Sequence, residues 1–94
     1  MIPTYSIFVS LARDLEEHER KNIFEALYET VPGNGFVANY KMKNQNEVFF
    51  VLDAPFEEIA HEKANEYMKW VLQKSKIEVD FTIDVSINPM TYKN

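Results

Sequence analysis

The residues best suited to metal binding or acid–base chemistry in this 94-residue chain are two histidines and the acids near them. Glu58 and His61 are three residues apart, a spacing that places two metal ligands on one face of a helix. A two-metal site needs a second such pair, but His18 has Leu15 three residues before it, where the acid would stand. Both histidines lie in densely charged segments, which is typical of helix faces in water. We therefore expect no metal site and no cofactor.

The chain contains no cysteine, so thiol catalysis is excluded. Ser6, Ser10 and Ser86 lie in predicted strands, whereas both histidines lie on predicted helices, so no nucleophile–base pair can be assembled. The lack of cysteine also excludes disulfides and thiolate metal sites. Residues 33–35, Gly-Asn-Gly, follow a helix and precede a strand, which reverses the order found in phosphate-binding loops. The sequence therefore favours a protein that is not an enzyme.

Composition indicates one small domain over residues 1–94, with 46% hydrophobic residues to form its core. The net charge of −5 argues against a nucleic-acid binder, which is usually basic. Met1 to Thr4 show no basic segment followed by an apolar run, so we expect no signal peptide. The longest apolar runs, such as Val48 to Leu52, are too short to span a membrane. We expect a cytoplasmic protein without a membrane partner.

Hydrophobic periods of two and of 3.6 residues predict four strands and two helices. Asp14, with Glu17 three residues later, is predicted to cap the first helix. Residues 89–94 follow the last strand and are predicted to be a loose tail. The predicted elements are a strand over 5–11, a helix from Asp14 to a stop at 31–35, a strand over 36–43, a hairpin turn at 44–46, a strand over 47–53, a helix opened by 53–55, and a strand over 79–87.

The element order βαββαβ is that of the ferredoxin-like, or split βαβ, arrangement. Right-handed crossovers place both helices on one face of a four-stranded antiparallel sheet. The strand order is then 4-1-3-2, with the first and third strands in the centre, and the fold class is α+β. Asp80 and Asp84 on one edge strand, and Lys41 and Lys43 on the other, are typical of edges protected against unwanted pairing.

The face of the sheet without helices is predicted to be apolar at its centre. If Ile7 and Val9 point to the core, Phe8 points outward. The third strand is apolar on both sides, so either its even-numbered or its odd-numbered residues join Phe8 on this face. The even set is Val48, Phe50 and Leu52, and the odd set is Phe49 and Val51. We predict partner binding by Phe8, Val48, Phe50, Leu52 and Tyr40.

An apolar sheet centre favours a protein-interaction module that forms a homodimer or binds another protein. One alternative is that a loop or the tail, with Met90 and Tyr92, covers the patch. A second is a ligand-binding or enzymatic dimer with a pocket at the sheet, for which the fold is the only argument. A third is an acidic decoy for a basic, nucleic-acid-binding protein, which requires one continuous patch of Glu57, Glu58, Asp80 and Asp84.

A fourth alternative is RNA binding, which rests on a resemblance. The segment 7–11, Ile-Phe-Val-Ser-Leu, resembles the first-strand motif of RNA-recognition domains, and 46–53 resembles the third-strand motif through its Phe-Val pair. The resemblance implies that aromatic residues at Phe8, Val48 and Phe50 would stack on bases. The chain departs from the motifs because their glycines are missing and Val48 is not aromatic.

Overall fold

The computed structural model describes residues 2–28 and 37–87. Within them, two helices and four strands follow the predicted order βαββαβ. The strands form one antiparallel sheet in the order β2-β3-β1-β4, which is the predicted order counted from the other edge. The α+β fold is therefore confirmed, and the strand order fits the ferredoxin-like arrangement. The elements are β1 (Thr4–Leu11), α1 (Glu17–Tyr28), β2 (Val37–Met42), β3 (Glu47–Asp53), α2 (Glu57–Ser75) and β4 (Phe81–Ile87).

Two predicted features, the helix stop at 31–35 and the tail at 89–94, lie outside the described residues. Among the described residues, no helix is long and apolar enough to cross a membrane.

The first helix begins later than predicted, so the cap at Asp14 is wrong. The Glu16 N–H donates to Glu19 Oε1 at 3.0 Å, which is the backward reach of a capping box. The Leu15 N–H donates instead to the carbonyl of Gln45 at 2.7 Å. This bond holds the segment before α1 against the turn between β2 and β3.

The second helix shows a different set of end signals. Its N-cap residue, Phe56, makes no side-chain capping bond, but Glu57 and Glu58 stand in the first turn, where the helix dipole favours acids. At the other end, Lys76 adopts the left-handed conformation at φ 59°. Its N–H donates to the carbonyls of Gln73 and Leu72, which closes the last turn.

The hydrophobic core lies between the helices and one face of the sheet. Ile7 of β1 and Phe50 of β3 are directly opposed and fully buried. Tyr67 of α2 packs edge-on against Phe50, with ring centroids 5.0 Å apart, and its hydroxyl donates to the carbonyl of Leu27 at 2.9 Å. That bond satisfies one of the last four carbonyls of α1, which lack partners within the helix. The core therefore joins both helices to the central strands.

The even-numbered residues of β3 belong to this core, so their predicted place on the helix-free face is wrong. Val48, Phe50 and Leu52 are each at most 1% exposed. The antiparallel register pairs Phe50 with Ile7, and residues directly opposed in a ladder point to the same side of the sheet. The odd-numbered residues of β3 therefore accompany Phe8.

The pairing of β2 with β3 decides where Tyr40 points. Lys41 is paired with Phe49 and so lies on the same side of the sheet as Phe49, and the adjacent Tyr40 points to the other side. Tyr40 packs against the core, and its ring contacts Phe24 of α1 at 5.8 Å between centroids. The predicted place of Tyr40 on the helix-free face is therefore wrong. A bulge lies in the same strand, because Ala38 pairs with Val51 and three steps along β2 match two along β3.

Candidate protein-binding face

The helix-free face is the side of the sheet opposite the core. The register and the core side chains assign its members, because side chains alternate along each strand. Its described side chains are Thr4, Ser6, Phe8 and Ser10 of β1, Lys41 of β2 with Lys43 just beyond it, Glu47, Phe49, Val51 and Asp53 of β3, and Thr82, Asp84 and Ser86 of β4.

Two phenylalanines form the centre of this face. Phe8 and Phe49 are directly opposed on the two central strands, with ring centroids 5.1 Å apart and planes tilted by 54°. Tilted pairs at this distance attract through their ring quadrupoles. Both side chains are only partly buried, although each stands in the middle of the sheet.

Two lysines lie over these rings. Lys41 Nζ is 5.6 Å from the centroid of Phe49, and Lys43 Nζ is 5.4 Å from the centroid of Phe8. An ammonium over an aromatic face is worth about 0.5–1 kcal/mol at an exposed site. The lysine stems also cover apolar ring surface while the charges stay in water. Among the described residues, the side chains of Lys41 and Lys43 therefore cover part of the two aromatic rings.

One row of four residues crosses the face from edge to edge. The register pairs Lys41 with Phe49, Phe49 with Phe8, and Phe8 with Asp84. The row therefore reads cation, aromatic, aromatic, anion. We call it the central row. On either side of it the face is mostly polar, with small hydroxyl residues on β1 and β4.

One apolar residue of this face is closed to solvent. Val51 is 5% exposed, although it does not belong to the core cluster. It pairs with Ser6 on one side and Ala38 on the other. The exposed apolar surface is therefore concentrated at the aromatic pair.

The histidines do not assemble a catalytic or metal site in the part of the chain that the structure describes. His18 and His61 are both exposed on helices, away from the serines of the sheet. His18 Nδ1 lies 3.6 Å from a carboxylate oxygen of Glu16, which is a solvent-exposed contact. No group of three or more metal-binding side chains occurs among residues 2–28 and 37–87.

A surface depression of about 770 Å³ lies where the end of α2 meets the segment before α1 and the start of β4. Arg13 donates two hydrogen bonds to Glu19 there, at 2.9 and 2.8 Å. These bonds, together with the Glu16 N–H, lower the pKa of Glu19 to about 2. Neither histidine nor Tyr5 nor Tyr40 lines this depression, and it lies away from the aromatic pair. Its other charged lining residues are Lys69, Lys76 and Glu78.

The acids that a decoy would require are dispersed. Glu57 and Glu58 open α2, which follows the end of β3, and that end lies beside the start of β1. Asp80 precedes β4, whose start pairs with the end of β1. The two locations are therefore at opposite ends of strands about 24 Å long. Asp84 lies on the helix-free face, so the arrangement offers no continuous acidic patch of these four.

Comparison with protein-family models, with curated proteins and with solved structures found no match to the chain. Its function is therefore argued from the geometry of its own residues. Sequence reasoning identified Phe8 but chose the wrong alternate set on β3. The members of the helix-free face that sequence reasoning missed are Phe49 and the two lysines over the rings. The alternation of Lys41 and Lys43 on the neighbouring strand was the signal that could have placed the lysines there.

Proposed function

We propose that this protein is a non-enzymatic interaction module that binds a protein surface through its helix-free face. The observation that carries the proposal is the Phe8–Phe49 pair, with centroids 5.1 Å apart, at the centre of the sheet face opposite the two described helices. Protein interfaces typically have aromatic residues at the centre and a polar rim. The helix-free face has this arrangement, with hydroxyl and charged residues around the two rings.

The lysines support the same proposal. A protein surface that displaced Lys41 and Lys43 from the rings would meet two partly exposed phenylalanines already held in place by the strands. Ring side chains on rigid strands lose little conformational entropy on binding, which favours affinity. Aromatic residues of this kind often contribute most of the binding energy of an interface.

Photocrosslinking tests the proposal. A benzophenone amino acid replaces Phe8 in the protein produced in its own cells, which are then irradiated. We expect a covalent adduct with a protein, seen as a discrete band above the monomer. The matched control places the same probe at Phe24, which is 48% exposed on α1, outside the helix-free face.

The two probe positions give a clear decision. Adducts from position 8 at several times the yield from position 24 support the proposal. Equal yields from both positions, or no adduct from position 8, contradict it. An adduct that nuclease treatment removes would assign the face to nucleic acid instead.

A second candidate is single-stranded RNA binding, and the lysine-flanked aromatic pair favours it. Bases stack on aromatic side chains, and nearby lysines attract the phosphates. Asp84 beside Phe8 and the net charge of −5 oppose it. Fluorescence anisotropy with a labelled mixed-sequence oligonucleotide tests it: the RNA candidate requires binding that weakens steeply with salt and that Phe8→Ser abolishes.

A further inference from the structure

We infer that the partner of the helix-free face is a second copy of this chain, related by a two-fold axis parallel to the strands. The inference rests on the proposed function, because it names the occupant of the same face. It follows from the central row, Lys41, Phe49, Phe8 and Asp84, which spans all four strands in one register.

Two aligned symmetric packings of the sheet on itself are possible. An axis parallel to the strands reverses the strand order in the second copy, so β2 faces β4 and β3 faces β1 across the interface. An axis perpendicular to the strands keeps the order, so each strand faces its own counterpart.

The charges of the central row distinguish these packings. With the parallel axis, Lys41 faces Asp84 of the second copy at both ends of the row, and Phe49 faces Phe8 in the middle. With the perpendicular axis, β2 with its Lys41 faces β2 of the second copy, and Asp84 faces Asp84 of the second copy. Like charges in contact across an interface cost several kcal/mol. The central row is therefore complementary to itself only around the parallel axis.

The neighbouring rows are compatible with this axis. Lys43 and Glu47 lie in the row that continues through Ser10 to Thr82. Around the parallel axis, Lys43 faces Thr82 and Glu47 faces Ser10, so no like charges meet. In the row that contains Val51, Val51 likewise faces Ser6 of the second copy.

The natural twist of the sheets does not break the charge pairs. Strands about 4.8 Å apart put each end of the central row about 7 Å from the axis. Aligned sheets pack about 10 Å apart at about 30°, which offsets each end by roughly 4 Å. The long side chain of Lys41 spans these distances.

The size of the face predicts a weak dimer. Four strands and about seven residues along each give a flat area of roughly 450 Å². A stable interface of standard size buries about 800 Å² per partner. We therefore expect self-association in the micromolar range or weaker rather than a permanent dimer.

Charge reversal tests the inferred axis. Lys41→Asp and Asp84→Lys each place like charges at both ends of the row, so each chain alone should self-associate at least about tenfold more weakly than the wild type. A mixture of the two chains should pair as the wild type does. At one end of the row the substituted residue 41 of one chain, an aspartate, faces the substituted residue 84 of the other, a lysine. At the other end the unchanged Asp84 faces the unchanged Lys41. Sedimentation equilibrium of each chain and of the mixture measures this.

Lys21→Asp is the matched control, because Lys21 is exposed on α1, outside the helix-free face, and the substitution changes the net charge as Lys41→Asp does. Its self-association should change less than about threefold. Circular dichroism and thermal melting at low concentration verify that each variant folds.

Each outcome of the sedimentation experiment decides the inference. Recovery of association in the mixture supports it. Failure of the mixture to associate, or undiminished association of either single variant, overturns the axis. If the wild-type protein stays monomeric at about 1 mM, the inference that the partner is a second copy of the chain is overturned. In that last case the proposed function still stands if position 8 crosslinks to another protein, and it fails if position 8 crosslinks to nothing.

Discussion

Two neighbouring residue pairs of β1 and β3 show how differently one sheet can use its two faces. Ile7 and Phe50 are opposed on the covered face and are fully buried beneath the helices. Phe8 and Phe49, the next pair in the antiparallel register, are opposed on the helix-free face and are only partly buried. At this point of the sheet the two central strands therefore carry apolar residues on both sides, but only one side belongs to the core.

The coverage of the two faces also differs in kind. The covered face is closed by side chains of both helices and by a buried hydrogen bond, from Tyr67 to Leu27. On the helix-free face, within residues 2–28 and 37–87, Lys41 and Lys43 lie over the two rings and leave them partly exposed. A layer of this second kind can move aside without unfolding the domain. This difference motivates the assignment of stability to one face and binding to the other.

The largest effect should separate Phe50→Ala from Phe49→Ala. We expect Phe50→Ala to lower the free energy of unfolding by about 3–5 kcal/mol, because it leaves a cavity in the core. Phe49→Ala should cost about 1–2.5 kcal/mol, through loss of the ring pair and the lysine contact. Urea unfolding at low micromolar concentration measures both. Equal losses would show that the helix-free face is part of the stabilising core after all.

A smaller effect should come from Tyr67→Phe on the covered face. Removing the hydroxyl leaves the buried carbonyl of Leu27 without this donor, which costs about 1 kcal/mol. In the folded protein, burial and then the charge of Tyr40 raise the pKa of Tyr67 to about 12.

The raised pKa gives this prediction a pH signature. Because the folded state disfavours ionisation, Tyr67 contributes its full stability below about pH 10 and loses it as the pH rises to about 12. The stability advantage of the wild type over Tyr67→Phe should therefore shrink across that range. Urea unfolding of both proteins from pH 8 to 12 tests this, and a constant difference would contradict the burial of the hydroxyl.

The smallest effect should come from Glu19→Gln, which lies away from both faces and provides a baseline. Arg13, and then the Glu16 N–H, lower the pKa of Glu19 to about 2. Glu19 therefore adds stability above about pH 4.5 and loses it as the pH falls to about 2. The melting temperature of the wild type should exceed that of Glu19→Gln slightly at pH 6 and converge with it near pH 2. A gap that persists at pH 2 would mean that the charge pair with Arg13 is not its cause.

Sequence reasoning was most successful where side chains alternate in polarity. The alternation on β1 and β4 and the helical stripes gave the element order, and the order gave the sheet. Sequence reasoning failed on β3, because a strand that is apolar on both sides does not show which side faces the helices. Only the register of Phe50 against Ile7 resolves this.

Two other features have causes that hydrophobic periodicity does not express. The bulge in β2 adds a residue between Ala38 and Lys41, so alternation counted from the start of that strand fails before it reaches Tyr40. The segment before α1 is held by the bond from Leu15 to Gln45, which joins positions 30 residues apart in sequence. Neither the extra residue nor this long-range bond has a marker among the neighbouring residues.

The bulge in β2 has a consequence for how the molecule avoids the wrong partners. β2 is an edge strand, and a regular edge offers a straight row of backbone donors and acceptors to any extended chain. The irregular step between Ala38 and Lys41 interrupts that row. A chain that lacked the extra residue would present an unbroken edge. The extra residue thus disfavours edge-to-edge pairing of β2 with another extended chain.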